Sequence, residues 1–260
     1  MNSATVRTLL VRGMLAGLVA GVFALAVAWS LGEPHIDAAI AYEEAQAHEH
    51  ASGHGHEEEA VVSRSTQSTA GLATGVLVYG VAVGGIAALA FSFALGRVGR
   101  FGPRATAALL AGAAFVSVYL VPFLKYPANP PSVGDPASLD QRTALFFLMV
   151  LLSVLLAVAA TIAGRRMASR LGNWNASVAA GLGFAAAVGL AYAFLPSLSE
   201  LPEGFPGMLL WRFRISTLAV QLVLWAAFGL TFGHLAERAL GSRTRRGSQE
   251  PAAAAPAGTP

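Results

Sequence analysis

The sequence is dominated by uninterrupted apolar runs of about 20 residues, separated by short segments that carry most of the charge. A helical run of that length just spans the hydrocarbon core of a bilayer, which is ~30 Å thick. The composition agrees, because 55% of the residues are hydrophobic and 12% are charged, whereas soluble domains carry roughly 25% charged residues. Backbone polar groups must be satisfied internally in lipid, and these runs have helical length, so we predict an all-α integral membrane protein.

We expect a bundle of six transmembrane helices. The predicted spans are at about residues 9–31, 70–95, 105–124, 143–163, 174–195 and 215–234. They form one membrane domain, residues 1–238, followed by residues 239–260, which we expect to be a disordered cytoplasmic tail. A five-span bundle is the alternative, with one run re-entrant or cleaved. The first run is longer than the apolar region of a secretory signal, so we expect it to be retained, with a cleaved signal peptide as the other interpretation.

Glycines recur at intervals of four in the first two spans. Gly13, Gly17 and Gly21 lie on one face of the first, and the second has two similar pairs, Gly71 with Gly75 and Gly80 with Gly84. Small residues at this spacing allow helix backbones to approach closely in membranes. We therefore predict close helix packing at these glycines rather than a ligand site.

The distribution of basic residues predicts the orientation. Six spans place both termini on one side, and 12 of the 17 Lys and Arg residues then fall on that side. By the positive-inside rule that side is cytoplasmic. Twelve of the 14 acidic residues lie on the outside, which the rule does not require. The basic residues are spread over short loops rather than gathered in one block. We therefore expect them to interact with the lipid bilayer and not with nucleic acid.

The predicted external loop between the first two spans, residues 32–69, is rich in histidine and carboxylate. Five of the six histidines and eight of the acidic residues lie within residues 33–59. In an extended segment, two histidines separated by one residue share a side, and imidazole with carboxylate suits Co²⁺, Ni²⁺ and Zn²⁺. The chain has no cysteine, which excludes thiolate ligands. The candidate metal ligands are His48, His50, His54, His56, Glu43, Glu44 and Glu57. A merely solvated acidic loop and a pH sensor are the alternatives.

The other external loops place cations beside carboxylates and prolines. These residues could anchor the helices at the interface, or they could form an entrance vestibule held in shape by pairs between arginine and the carboxylates Asp135, Asp140, Glu200 and Glu203. The candidate vestibule residues are Lys125, Tyr126, Asn129, Asp140, Arg142, Arg212 and Arg214.

The interiors of the predicted spans contain no deeply placed Asp, Glu, His, Lys or Arg. Such residues usually mark ion-coupled transport, so we do not expect a proton-driven antiporter built from this chain alone. A metal ion would need a weak oxygen-lined path, carbonyls of a broken helix near Pro122, or ligands from a partner subunit. The interior polar candidates, each expected to be a packing residue, are Tyr79, Ser117, Tyr119, Ser153, Thr161, Tyr192 and Gln221.

The sequence has neither a GxxxxGK[ST] loop nor an HExxH motif, and its Ser and His residues suggest no nucleophilic constellation. We therefore expect no enzymatic activity and no organic cofactor.

Four segments resemble the CbtA family of cobalt transporter subunits. They are LVRGMLAGLVAG (residues 10–21), YEEA (residues 42–45), PFLKYPANPPSVGDP (residues 122–136) and WRFR…QLVLWAAFGLTFG (residues 211–233). The resemblance implies location in the bacterial cytoplasmic membrane, cobalt uptake linked to cobalamin synthesis, and a small single-span companion of the CbtB type that carries its own histidine. Such a companion would suit spans that lack strong ligands.

The prediction from the sequence is thus a membrane subunit that takes up a divalent metal, with Co²⁺ as the expected substrate and Ni²⁺ or Zn²⁺ as alternatives. The histidine-rich loop would collect ions outside, and the PFLKYPANPP and WRFR segments would shape the entrance. A membrane metal receptor or scaffold that does not transport, and an importer of another small solute, are the competing interpretations.

Overall fold

The structure is a computed structural model that describes residues 2–50, 63–131, 133–134, 136–198, 201–202 and 204–247. In these residues the chain is helical and contains no strand. The α-helices are α1 (Ser3–Val27), α2 (Glu33–His50), α3 (Arg64–Thr66), α4 (Leu72–Ala94), α5 (Pro103–Ala114), α6 (Val121–Lys125), α7 (Leu139–Phe194) and α8 (Gly207–Gly247). Three π-helical turns join consecutive helices without a break, at Ala28–Gly32, Gln67–Gly71 and Phe115–Leu120, and a 3₁₀ turn at Pro136–Ser138 precedes α7.

Five of the helical stretches in the described part of the chain are long and apolar enough to cross a membrane. They are Ser3–Gln46, Arg64–Ala94, Pro103–Lys125, Leu139–Phe194 and Gly207–Gly241. The prediction of an all-α membrane protein is therefore confirmed. The first, second, third and sixth predicted spans each fall in one of these stretches, and the fourth and fifth both fall in α7.

Helix α7 has 56 residues and would be ~84 Å long if it were straight. Its backbone leaves the helical region at one residue, Gly172, which has φ 76° and ψ 162°. A side chain is strained at such a positive φ, whereas glycine adopts it freely. The two arms on either side of Gly172 pack against each other, because a Cβ built on Gly164 would lie 3.0 Å from the Cβ of Ala180. The chain therefore doubles back within α7.

This reversal corrects the predicted connection between the fourth and fifth spans. We expected a basic loop over residues 164–173, but the backbone is helical up to Leu171 and resumes its helix at Asn173. The arginines of this region lie on the end of a helix because a single glycine is enough to turn the chain.

Helices α1 and α4 pack at backbone distance along their glycines. A Cβ on Gly17 would lie 2.1 Å from the carbonyl oxygen of Gly80, and a Cβ on Gly13 would lie 2.6 Å from that of Gly84. No side chain fits at these positions, so the predicted close packing of the two spans is confirmed. The other predicted pair, Gly71 with Gly75, does not pack this way: Gly75 has nothing within 4 Å, and Gly71 meets only the Thr66 carbonyl oxygen at 3.5 Å.

The main core joins α1, α4, α5 and α8. Aromatic rings fill it, with Phe91 edge-on to Phe232 at 5.1 Å and Phe228 stacked on Phe232 at 5.2 Å between ring centroids. A second cluster joins α6 to both arms of α7 through Val121, Met149 and Val188. The third span is thus held by α8 on one side and by the α7 hairpin on the other.

Pro122 leaves one carbonyl of the third span without its helical partner. The Val121 N–H donates to the Val116 carbonyl, which is the π-helical spacing of five residues. In that register the Ser117 carbonyl would be paired with residue 122, but proline has no N–H. The Ser153 hydroxyl, which is fully buried on α7, donates to the Ser117 carbonyl instead. The Tyr192 hydroxyl of α7 also donates to the carbonyl of Val121, the first residue of α6.

Three further segments differ from the sequence prediction. The predicted loop 32–69 begins with α2, which continues the first span as a helix to His50. The first four residues of the proline-rich segment, Pro122–Lys125, are helical. Helix α8 begins at Gly207 and extends to Gly247, so the WRFR segment and the first nine residues of the predicted tail are helical. In each case the helix directly continues or precedes a packed span, and extending an existing helix costs less than starting a new one.

Candidate functional site

At the end of the molecule that the sequence predicts to be external lies a set of segments that we call the outer cap, defined as α2 together with the connections 126–138 and 195–206. Tyr42 of α2 packs edge-on against Phe205 with ring centroids 5.2 Å apart. Both contact a small apolar cluster that contains Val133 and Leu210. Helix α2 is therefore docked on the proline-rich connections and on the start of α8.

An ion-pair cluster ties the two ends of the histidine-rich segment together. Arg64, just before the second span, donates to Asp37 Oδ1 from Nε at 3.1 Å and from Nη2 at 2.9 Å. It also pairs with Glu33, which is only 7% exposed. Because Glu33 and Asp37 begin α2, Arg64 joins the start of α2 to the residues that lead into the second span.

The predicted metal ligands all belong to this part of the chain. Glu43 and Glu44 lie on the exposed surface of α2. His48 and His50 are in the last turn of α2, where the backbone is helical. The extended geometry that we expected for this pair is therefore wrong. His54, His56 and Glu57 lie outside the described residues. In the described ranges, no three His, Asp or Glu side chains are grouped so as to hold a metal ion.

Lys125 and Tyr126 join the end of the third span to the connection after α7. Lys125 Nζ donates to the Tyr192 carbonyl and to Ser197 Oγ, both at 3.0 Å. The Tyr126 hydroxyl donates to the Pro196 carbonyl at 2.8 Å. Burial raises the pKa of this hydroxyl, so the phenol stays protonated and remains a donor.

Arg214 fastens the proline-rich connection to α8. Its Nε donates to the Ala128 carbonyl at 3.3 Å, and its Nη2 donates to Asn129 Oδ1 at 3.0 Å. In the described part of the chain, Lys125 and Arg214 donate to carbonyl, hydroxyl and amide oxygens. The reason is that loops rich in proline leave carbonyls without N–H partners, and these accept from the cations.

The predicted vestibule residues therefore divide into two groups. The first group is held around the two connections by the hydrogen bonds described above and consists of Lys125, Tyr126, Asn129 and Arg214. The second group lies elsewhere: Asp140 and Arg142 are in the first turn of α7, and Arg212 is exposed on α8. Of the carboxylates expected to pair with these cations, Asp135, Glu200 and Glu203 lie outside the described residues.

The opposite end of the molecule gathers basic residues from several helices. Arg12 donates to the Leu235 carbonyl at 2.5 Å. Arg104 pairs with Glu237 at 2.5 Å and lies 3.2 Å from Nδ1 of His234. A groove of about 900 Å³ at this end is lined by residues 98–101, by α5 and by both arms of α7 near Gly172. The α7 reversal therefore lies at the same end as the termini of α1 and α8 that bear these basic residues.

Four polar side chains meet where α4, the third span and α8 come together, and the sequence did not predict that they meet. Tyr79, which is 42% exposed, lies against Gln221, and Tyr119 lies beside Thr217. With Trp225, which follows Gln221 by four residues on α8, we call these residues the tyrosine–glutamine cluster. Tyr79, Tyr119 and Gln221 were each expected to be packing residues, and Thr217 and Trp225 were not considered. The spacing of Thr217, Gln221 and Trp225, four residues apart on one helix, is the signal that could have indicated a shared face.

Comparison with known proteins gives one match. A family model described as a probable cobalt transporter subunit, CbtA, matches residues 6–237 of the chain. The match includes the outer cap, the tyrosine–glutamine cluster and most of α8. No curated protein and no solved structure matches the chain.

Proposed function

Because the chain belongs to the CbtA family of probable cobalt transporter subunits, we propose that it is the membrane subunit of an uptake system whose substrate is Co²⁺. The observation that carries the structural part of the proposal is the docking of α2 through Tyr42 and Phe205. This contact joins α2, where the histidine-rich segment begins, to the connection 195–206, and it therefore supports a role for the segment at the entrance.

In this proposal the histidine-rich segment collects divalent ions outside the membrane. Glu43 and Glu44 on α2, with Glu57, supply negative potential, and His48, His50, His54 and His56 supply imidazole nitrogens. A cluster of acidic side chains raises the local cation concentration and therefore the rate of encounter. Because the segment is anchored by Arg64 to Glu33 and Asp37, the collected ions stay near the outer cap.

Entry then takes place between the connections of the outer cap, with Asp140, Arg142 and Arg212 at its margin. Lys125 and Arg214 act there as structural cations, since their charges are directed at carbonyl and amide oxygens. Their role is to hold the proline-rich connection in one conformation, which keeps the entrance open at low entropic cost.

We further propose six membrane crossings, with each arm of α7 crossing once, in the bacterial inner membrane. The apolar length of each arm and the reversal at Gly172 support this count. Both termini are then cytoplasmic, since the basic end of the molecule contains Arg12, Arg104 and the α7 reversal. A subunit implies a partner, and a single-span CbtB-type protein bearing a histidine would add the strong ligand that the spans lack.

The test is accumulation of radioactive cobalt in cells that lack other cobalt importers and express the intact chain with its companion. Replacing His48, His50, His54 and His56 with alanine should raise the cobalt concentration needed for half-maximal uptake and leave the maximal rate unchanged, because a collector acts on concentration alone. His35→Ala is the matched control, since His35 lies on the same helix and its Nδ1–H donates to the Leu31 carbonyl at 2.5 Å.

The outcomes separate the competing functions. Cobalt uptake that depends on the intact chain supports transport. If the variant without the four histidines loses uptake only at low cobalt concentrations, collection by the histidines is supported. Cobalt binding at the cell surface without accumulation inside would instead identify a receptor or scaffold and would contradict the proposal.

A further inference from the structure

The interior of the bundle contains a polar site, the tyrosine–glutamine cluster. Thr217, Gln221 and Trp225 lie four residues apart along α8 and so follow one face of it. The Gln221 amide lies against the Tyr79 hydroxyl of α4, and the Thr217 hydroxyl lies beside that of Tyr119. Three helical segments therefore converge on one polar volume.

Three buried polar atoms of this cluster make no hydrogen bond of normal geometry within the described residues, although Thr217 and Tyr79 lie beside Tyr119 and Gln221. They are Tyr119 Oη, Gln221 Oε1 and Trp225 Nε1, and Trp225 is only 5% exposed. An unpaired polar group inside hydrocarbon costs several kcal/mol, because no water is available to satisfy it. Three such atoms on two converging segments indicate a bound species that supplies the missing partners.

The cluster lies below the outer cap. Gln221 is seven residues from Arg214, and Tyr119 is six residues from Lys125, so both are about 10 Å deeper than the cations of the entrance. The Thr217 hydroxyl donates to the Arg214 carbonyl at 2.9 Å, which joins the two levels along α8. A species that passes between the outer connections reaches this cluster next.

The ring of Tyr119 is held in place. It stacks between Phe115 and Phe123, with centroids 6.2 Å and 5.3 Å away, and it belongs to the π-helical turn Phe115–Leu120. Such turns are frequent at functional sites because they redirect side chains. The hydroxyl is therefore presented to the interior before any ligand arrives, which reduces the entropic cost of binding.

The chemistry of the cluster suits a divalent cation that keeps part of its water shell. Phenol, hydroxyl and amide oxygens are neutral, hard ligands that can replace some waters or accept hydrogen bonds from the remaining ones. The indole N–H is a donor only and suits a water at the rim of that shell. A neutral site also binds weakly enough to release the ion, as conduction requires.

We propose that the tyrosine–glutamine cluster binds the transported divalent cation inside the membrane, through Tyr119 Oη, Gln221 Oε1 and retained water. This inference rests on the proposed function for the identity of the ion. In this pathway the cluster binds the ion after the histidine-rich segment has collected it and before it is released at the basic end of the molecule.

The first test measures cobalt uptake at saturating cobalt in the full chain with its companion. Tyr119→Phe and Gln221→Leu remove the oxygens while keeping the apolar volume, and each should lower uptake roughly tenfold, as loss of one ligand interaction does. Thr231→Val on the same helix is the matched control, because the Thr231 hydroxyl is already satisfied by the Ala227 carbonyl at 2.6 Å. Its uptake should equal that of the unaltered chain at equal expression.

The second test measures binding directly. The chain has four tryptophans, so replacing Trp29, Trp174 and Trp211 with phenylalanine leaves Trp225 as the sole emitter. CoCl₂ should then quench the fluorescence of the purified full chain in a saturable manner, and Gln221→Leu in that background should weaken the apparent affinity roughly tenfold.

The two readouts separate failure of this site from failure of the proposed function. If the unaltered chain accumulates cobalt but Tyr119→Phe and Gln221→Leu leave both uptake and quenching unchanged, the cluster holds resident water only and the inference is wrong. If the unaltered chain accumulates no cobalt, the proposed transport function fails. In that case saturable quenching that Gln221→Leu weakens still supports the site, and its absence overturns it.

Discussion

The Ser153 hydroxyl of α7 donates a hydrogen bond to the Ser117 carbonyl of the third span. This carbonyl is free because the π-helical register directs it to Pro122, which has no N–H. One buried side chain of the α7 hairpin thus completes the backbone hydrogen bonding of another helix.

Ser153→Ala should lower the free energy of unfolding by about 1–3 kcal/mol, because it leaves a buried carbonyl unpaired. Thermal unfolding of the detergent-solubilised protein measures the change. Thr161→Val on the same helix is the control, since the Thr161 hydroxyl is exposed and donates only to the Ala157 carbonyl of its own helix. In a Pro122→Ala background, where residue 122 regains an N–H, Ser153→Ala should cost less. Equal costs in both backgrounds would contradict this account.

Gly17→Ala should disrupt the packing of α1 on α4. The added Cβ would lie 2.1 Å from the Gly80 carbonyl oxygen, so the two backbones must separate. We expect a loss of about 1–3 kcal/mol or more, as for other overpacked sites. The folded yield by size-exclusion chromatography and the melting temperature report it. Gly75→Ala on α4 meets nothing within 4 Å and should leave both unchanged. A stable Gly17→Ala variant would show that α1 and α4 pack differently.

The Arg64 cluster predicts an asymmetry between its two sides. Arg64→Gln leaves the Glu33 carboxylate, which is 7% exposed, without its cation, whereas Glu33→Gln leaves only a partly exposed guanidinium that still bonds Asp37. Since stranding a buried charge costs more than removing it, Arg64→Gln should be the more destabilising change, by about 1–3 kcal/mol. The double variant should recover part of that loss. Equal melting temperatures for the two single variants would contradict the burial of Glu33.

The absence of cysteine from the chain allows a direct test of six crossings. Single cysteines at Ala38, Ser169 and Leu201 would report the outer cap, the α7 reversal and the connection before α8. All three residues are exposed. A membrane-impermeant maleimide should label Ala38→Cys and Leu201→Cys in intact cells and Ser169→Cys only after permeabilisation. Labelling of Ser169→Cys in intact cells would exclude the hairpin topology.

Local features of the sequence were sufficient for several conclusions. The length of the apolar runs indicated membrane helices, and the spacing of Gly13, Gly17 and Gly21 indicated which face of the first span packs closely. Both depend only on the composition and period of one helix, so they can be predicted without knowing its neighbours.

The connections were harder to predict because they depend on packing. A basic segment of ten residues, 164–173, has the composition of a loop, yet the facing arms of α7 hold it helical up to a single glycine turn. The segment beyond the first span has few apolar residues, yet it stays helical because Tyr42 docks on Phe205.

The sequence by itself determined that this protein is a helical membrane protein with a histidine- and carboxylate-rich segment, because hydropathy and composition are properties of the chain alone. The tertiary structure decided which oxygens receive the Lys125 and Arg214 charges, and it brought Tyr79, Tyr119 and Gln221 together. The physical reason is that a hydrogen-bond partner is defined by which backbone and side-chain groups remain unsatisfied after packing, and that depends on residues far apart in the chain.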